Sequence, residues 1–279
     1  MKDVLTGSFV GPRWYLWPPD AIRIVDWNIE RGLKLPGILE FLTAQDADLL
    51  TLQEVDLNAR RTGLRNVAEE LARSLQMHYA FGWEFQELAE GTRSRPAWTG
   101  QATLSRWPIR GSRVIRFQTQ SNFWLPKWYK PNIPLFQERL GGRIALVTEI
   151  DMPGRPLAIF NVHLESRGDD TLRIGQLRET LAAGARCPAA TVVLIAGDMN
   201  LDVSRPDPAS AIRDAGFSDA VCRPSALTSA RQGPFHPGRS IDTILMRNGP
   251  ESRGGRIYNR VRASDHYPVS SEVLLARAT

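Results

Sequence analysis

The chain has 279 residues, 42% of them hydrophobic and 23% charged, which suffices for a packed core and excludes a disordered or fibrous composition. Lysine and arginine outnumber aspartate and glutamate, 35 against 30, a balance that favours a polyanionic partner such as nucleic acid or an anionic lipid surface. No apolar run approaches transmembrane length, residues 1–20 lack the apolar core of a signal peptide, and Cys187 and Cys222 are too few for a disulfide framework or a thiolate metal site.

A cytoplasmic monomer with no obligate protein partner is therefore expected. Residues 1–20 read as an N-terminal extension and 21–279 as one domain. Ile22–Ile29 is the first strand-like run, apolar on both faces as in a strand buried between two layers; Asn28 stands near its end. Leu35, Ile38, Leu39 and Leu42 then recur at helical spacing. Leu49–Val55 is the second run and carries Glu54, with Arg60, Arg61 and Arg65 just beyond. Val67, Leu71 and Leu75 make a second helical face, and Ala102–Ser105 and Arg143–Ile150 resume the strand pattern.

Between those two runs, Gln118–Arg139 is proline-punctuated and rich in aromatic and basic residues. Trp124, Trp128, Tyr129 and Phe136, interleaved with Lys127 and Lys130, suit either stacking on bases or seating at a membrane interface. A plain loop whose aromatics cover the core is the third alternative. Leu157–Leu164 carries Asn161 and His163, which share a face by the period of two. Ile174, Leu177 and Leu181 mark a third helix, and Thr191–Ala196 runs out through Gly197 into Asp198 and Asn200. Ser204–Pro208 and Ser225–Gly238, the latter with His236, read as loops. Ile241–Met246 sets Asp242 among apolar residues, ASDHYPV places Asp265 beside His266, and Val269–Leu275 is the last strand-like run.

Polar groups at strand ends are where mixed α/β folds build their sites. A carboxylate in an apolar run needs a partner, because a lone buried charge is costly; for Asp242 a histidine such as His266 would serve. The set as a whole is carboxylates, amides and two histidines, the hard donors that suit Mg²⁺ or Mn²⁺. Phosphoryl transfer needs a cation, a group to orient water and donors for developing charge.

In the order WNIERG, LQEV, NVHLES, GDMN, SIDTIL and SDHYPV, the chain resembles the endonuclease/exonuclease/phosphatase superfamily, which includes pancreatic-type deoxyribonucleases, apurinic endonucleases, sphingomyelinases and inositol-polyphosphate phosphatases. HLESRGDDTLRIGQL followed by IAGDMNL is most similar to type 2 tyrosyl-DNA phosphodiesterases. The resemblance implies a DNase I-like four-layer α/β sandwich, two face-to-face β-sheets flanked by helices. It implies Glu54 as metal ligand with Asn28 and Asp265 in or near the shell. Asp198 would orient or deprotonate water, Asn200 would hold a phosphate oxygen, His266 paired with Asp242 would stabilise the transition state, and His163 would donate to a non-bridging oxygen. The expected substrate is single-stranded or frayed DNA, with Arg60, Arg61, Trp124 and Trp128 as contacts; a lipid or small phosphodiester is the alternative.

Overall fold

A computed structural model of the chain describes residues 3–11, 19–222, 226–230, 237–249 and 251–275; His236, expected in a loop, lies outside the described residues. In chain order the strands are β1 (Val4–Ser8), β2 (Ala21–Arg31), β3 (Leu49–Ala59), β4 (Arg65–Asn66), β5 (His78–Glu87), β6 (Ala97–Ser105), β7 (Ile109–Arg116) and β8 (Arg139–Gly141). There follow β9 (Ile144–Ile150), β10 (Leu157–His163), β11 (Val192–Asp198), β12 (Ser218–Asp219), β13 (Asp242–Arg247), β14 (Glu251–Ile257) and β15 (Val269–Leu274). The helices are α1 (Leu35–Gln45), α2 (Val67–Ser74), α3 (Asp170–Ala185) and α4 (Pro206–Asp214).

Two sheets form. One runs β1-β5-β6-β3-β2-β15-β14, with β4 beside β3 and β8 beside β5; the other runs β12-β13-β11-β10-β9-β7. Side chains alternate across each strand, so one strand feeds two cores. Ile24 and Leu194 enter the core between the sheets, whereas Val25 and Ile195 face outward. On the outside, Ile38, Leu42 and Leu71 from α1 and α2 cover the first sheet, and Leu177, Leu181 and Ile212 from α3 and α4 cover the second. Hence the strands read as apolar on both faces. The result is the four-layer α/β sandwich.

Two local readings change. Val4–Ser8, placed in the extension ahead of the domain, pair antiparallel with β5 and complete the edge of the first sheet. Pro206–Pro208, expected in a loop, instead open α4, because proline's fixed φ and missing N–H suit the first helical turn. Gln118–Arg139 carries no helix and no strand apart from Arg139 itself. No helix among the described residues is long and apolar enough to cross a membrane.

Candidate active site

The two parallel pairs set the site. β2 runs parallel to β3 and β10 parallel to β11; Glu54, expected at a strand end, instead sits at a bulge midway along β3, Asn28 stands near the carboxyl end of β2, and His163 and Asp198 close β10 and β11. β13 runs antiparallel to β11 and starts there, with Asp242 opposite Asp198. β15 runs antiparallel to β2, and His266 precedes it beside the same end.

Backbone irregularity aims these side chains. The β2–β3 register shifts between Asn28 and Arg31, and the β3–β6 register shifts between Leu52 and Val55. Within that second bulge Glu54 has φ +50°, which re-aims its side chain, and its carboxylate meets Arg31 at 3.2 Å. Gly197 has φ +149°, and a Cβ there would lie 1.8 Å from the Val162 carbonyl oxygen; only glycine lets β11 approach β10 so closely just before Asp198.

Asp198 is the hub. Its Oδ2 accepts from Asn28 Nδ2 at 3.3 Å and lies 3.4 Å from His163 Nε2 and 3.7 Å from His266 Nε2. Its Oδ1 accepts from the Asn200 backbone N–H at 2.9 Å. Burial pushes the Asp198 carboxyl up to about 6, with Asp242 adding to the rise while His266, Asn200 and Asn28 oppose it.

The histidines carry opposite charge states. His266 Nδ1 faces both Asp242 oxygens at 3.0 Å. Burial disfavours its charge, but Asp242 and Asp198 outweigh burial and hold the imidazolium well above the usual range. The Trp27 indole donates to the His266 carbonyl at 2.9 Å, and the His266 N–H donates to Ser264 Oγ at 3.1 Å. Thr228 Oγ1 accepts from the Asp242 N–H at 3.0 Å. His163, by contrast, is buried and has Arg143 and His266 nearby, which together hold it neutral, well below its ordinary value.

Glu84 is a member that the sequence reading missed. Its Oε2 lies 3.9 Å from His163 Nδ1, an atom with no hydrogen bond, and accepts from Arg143 Nη1 at 3.4 Å. A charge at an inward position of the alternating run HYAFGWEFQE was its only signal. Arg239 was also missed: its Nη2 donates to the Asn200 carbonyl at 2.6 Å.

Cation binding is tested by the chemistry of the donors. Asp198, Asp242 and His266 offer ligand atoms within 4.8 Å of one another, but an imidazolium clamped by Asp242 repels a cation. Glu54 fits better. Its side chain is 23% exposed and pairs with Arg31 at 3.2 Å; burial alone would raise its carboxyl, but Arg31, Arg143 and His266 outweigh that and keep it ionised. Nearby Glu30 is raised by burial and then by Asp265, with Glu54 adding repulsion. These oxygens form a crowd of like charge that a hard divalent ion would relieve. Asn28 stands between the two groups: Nδ2 faces Asp198, and Oδ1 accepts from the Glu30 N–H at 3.2 Å.

The expected substrate contacts divide. Arg61 is committed internally, donating twice to buried Asp56 at 2.8 Å, to Glu87 at 3.3 Å and to Thr99 at 2.8 Å. Arg60 is exposed. Trp124 packs edge-on against Phe85 and Phe123, whereas Trp128 is 97% exposed.

Solved structures share this architecture. An endonuclease/exonuclease/phosphatase from Beutenbergia cavernae DSM 12333 superposes with TM-score 0.64 at 19% identity, covering 92% of this chain and 72% of that one. D. rerio TDP2 complexed with single strand DNA product gives 0.61 at 17%, covering 91% and 99%, and SmcL gives 0.58 at 16%, covering 91% and 99%. No curated protein sequence matches the chain significantly. The model of the Endonuclease/Exonuclease/phosphatase family matches residues 27–266. The chain therefore belongs to the endonuclease/exonuclease/phosphatase family, whose members are hydrolases acting on phosphoric esters.

Proposed function

We propose that the chain is a divalent-metal-dependent phosphodiester hydrolase. The observation that carries this is the convergence on Asp198 Oδ2 of Asn28, neutral His163 and protonated His266 within 3.7 Å. Asp198, with its carboxyl near 6, is suited to hold the attacking water and accept its proton close to neutral pH. His266, charged and oriented by Asp242, donates to the oxygen on which charge develops. His163 donates to a non-bridging oxygen without adding a second positive charge. Asn200 gives one amide hydrogen to the Leu164 carbonyl at 3.1 Å and has another for a phosphoryl oxygen.

Glu54, Asp265 and Asn28 would hold Mg²⁺ or Mn²⁺. Once bound, the ion supplies charge neutralisation and polarisation of the phosphoryl group.

A nucleic-acid strand, expected from the sequence, has the excess of basic residues in its favour and the likeness to a TDP2 that carries a single strand DNA product. Against it, Arg61 is tied to Asp56 and Trp124 is packed, which leaves Arg60 and Trp128 of the four expected contacts. A phosphodiester presented at a lipid surface is favoured by the apolar side chains that the loop before β8 exposes.

The test is hydrolysis of bis-p-nitrophenyl phosphate with Mg²⁺ or Mn²⁺ by the full chain and by Asp198→Asn. Turnover lost in the variant supports the reading. An inactive wild type, or an Asp198→Asn variant as active as wild type, would sink it.

A further inference from the structure

Among the described residues, the exposed large hydrophobic side chains concentrate on one loop. Trp128 is 97% exposed, Leu135 82% and Tyr129 64%, with Leu125, Ile133 and Phe136 also in solvent. Soluble proteins rarely gather so many exposed large apolar side chains on one segment without a partner for them.

The loop is built to present that surface. Lys127 and Lys130 pair across a tight turn, the Lys130 N–H donating to the Lys127 carbonyl at 3.1 Å. Trp128 and Tyr129 thus form the tip, with one lysine on each side. The base is tied down: Trp124 packs on Phe85, and Arg167 lies 4.0 Å from the Phe123 ring centre. Ser121 Oγ donates to Glu165 at 2.6 Å, and Gln120 donates to the Arg143 carbonyl at 2.8 Å. Arg143 in turn pairs with Glu84 beside His163. The tip therefore rises from the rim of the active-site end.

Composition separates the two candidate partners. A single strand is gripped by π-faces and cations, and Leu125, Ile133 and Leu135 have no π-face. Exposed aliphatics beside Trp and Tyr, flanked by Lys127 and Lys130, match the boundary between headgroups and acyl chains. Within residues 118–139 the one acidic residue, Glu138, pairs with Arg139 at 2.9 Å, while Lys127 and Lys130 add positive charge, so the loop complements an anionic surface.

We infer that the loop over residues 118–139 is a membrane-docking element that seats Trp128, Tyr129 and Leu135 in the interface of an anionic bilayer and sets the active-site end against phosphodiester headgroups. The choice of headgroups rests on the hydrolase reading; the docking does not, since it is measured without catalysis.

The experiment is sedimentation of the full chain with phosphatidylcholine vesicles with and without phosphatidylglycerol, alongside binding of a fluorescent single-stranded oligonucleotide. Wild type is expected to sediment with the anionic vesicles and to shift its tryptophan emission to the blue. Trp128→Ala and Leu135→Ser, each at an exposed site, should each weaken partitioning by about tenfold with an unchanged far-ultraviolet spectrum. No vesicle binding by wild type, or binding untouched by both substitutions, overturns the inference. Loss of oligonucleotide binding in Trp128→Ala without any vesicle binding overturns it too, and gives the loop to nucleic acid.

Discussion

Both carboxylate oxygens of Asp242 lie 3.0 Å from Nδ1 of His266, which leaves Nε2 as the ring nitrogen facing Asp198 at 3.7 Å. The pair fixes the tautomer, the ring plane and the charge. In the proposed reaction, a donor so arranged would act where negative charge develops in the transition state. His266→Ala should lower kcat by about 10²–10³-fold with a smaller change in KM. Asp242→Asn should also lower kcat, because an amide cannot stabilise the imidazolium. Steady-state kinetics on a soluble diester checks both; a raised KM at unchanged kcat would assign the pair to ground-state binding.

Glu54 is the carboxylate proposed to hold the cation, kept ionised although partly buried. Chelation with EDTA should abolish hydrolysis, and Mg²⁺ or Mn²⁺ should restore it. Glu54→Ala should weaken cation binding by at least about tenfold, since even outer-shell partners cost that much. Calorimetric titration reads this without turnover. The fold should survive, as Glu54 sits in a bulge and contributes no core surface. Affinity equal to wild type would remove Glu54 from the metal site.

Arg61 should prove a stability residue. Its guanidinium makes two bonds of 2.8 Å to Asp56, a side chain shut off from solvent. Arg61→Ala strands that carboxylate, at a cost of about 3 kcal/mol. Denaturant unfolding measures it. A variant of wild-type stability with impaired substrate binding would return Arg61 to the substrate.

Glu84 makes stability depend on pH. Burial carries its carboxyl from an ordinary 4.5 to about 7, against the pull of Arg143 and with a push from Glu54. Between those values the folded chain holds a proton that the unfolded chain has released, so this group's contribution falls as pH rises through the window and is fully lost above about 7. Glu84→Gln lacks this loss. The stability of the variant relative to wild type should therefore grow from pH 4.5 to pH 7, by up to roughly 3 kcal/mol. Chemical denaturation at several pH values reads the difference; a flat difference would show that Glu84 ionises normally.

The strands that carry the site were legible because burial on two faces leaves an uninterrupted apolar run, as in Val192–Asp198, and a polar residue at its end then stands out. β5 was not legible in that way: His78–Glu87 mixes glycine, aromatics and two glutamates, and its burial comes from neighbours distant in the chain. β1 is five residues whose strand character depends on an edge to pair with. Pro206–Pro208 looked like a loop because proline punctuates both loops and helix starts.

Asn28, Glu54, His163, Asp198, Asn200, Asp242, Asp265 and His266 could be grouped as a candidate set along the chain, since motif order and residue type are properties of the sequence itself. The pairing of Asp242 with His266 was expected from the sequence and is present at 3.0 Å; what tertiary structure alone decided is how the others divide, Asn28 toward Asp198 and Glu54 apart with Arg31. It also decided that Arg61 faces inward to Asp56 while Trp128 faces outward. The reason is physical. Charge state and partner choice follow from distances of a few ångströms and from exclusion of water, and both are set by residues that lie far apart in sequence and meet only when the two sheets pack.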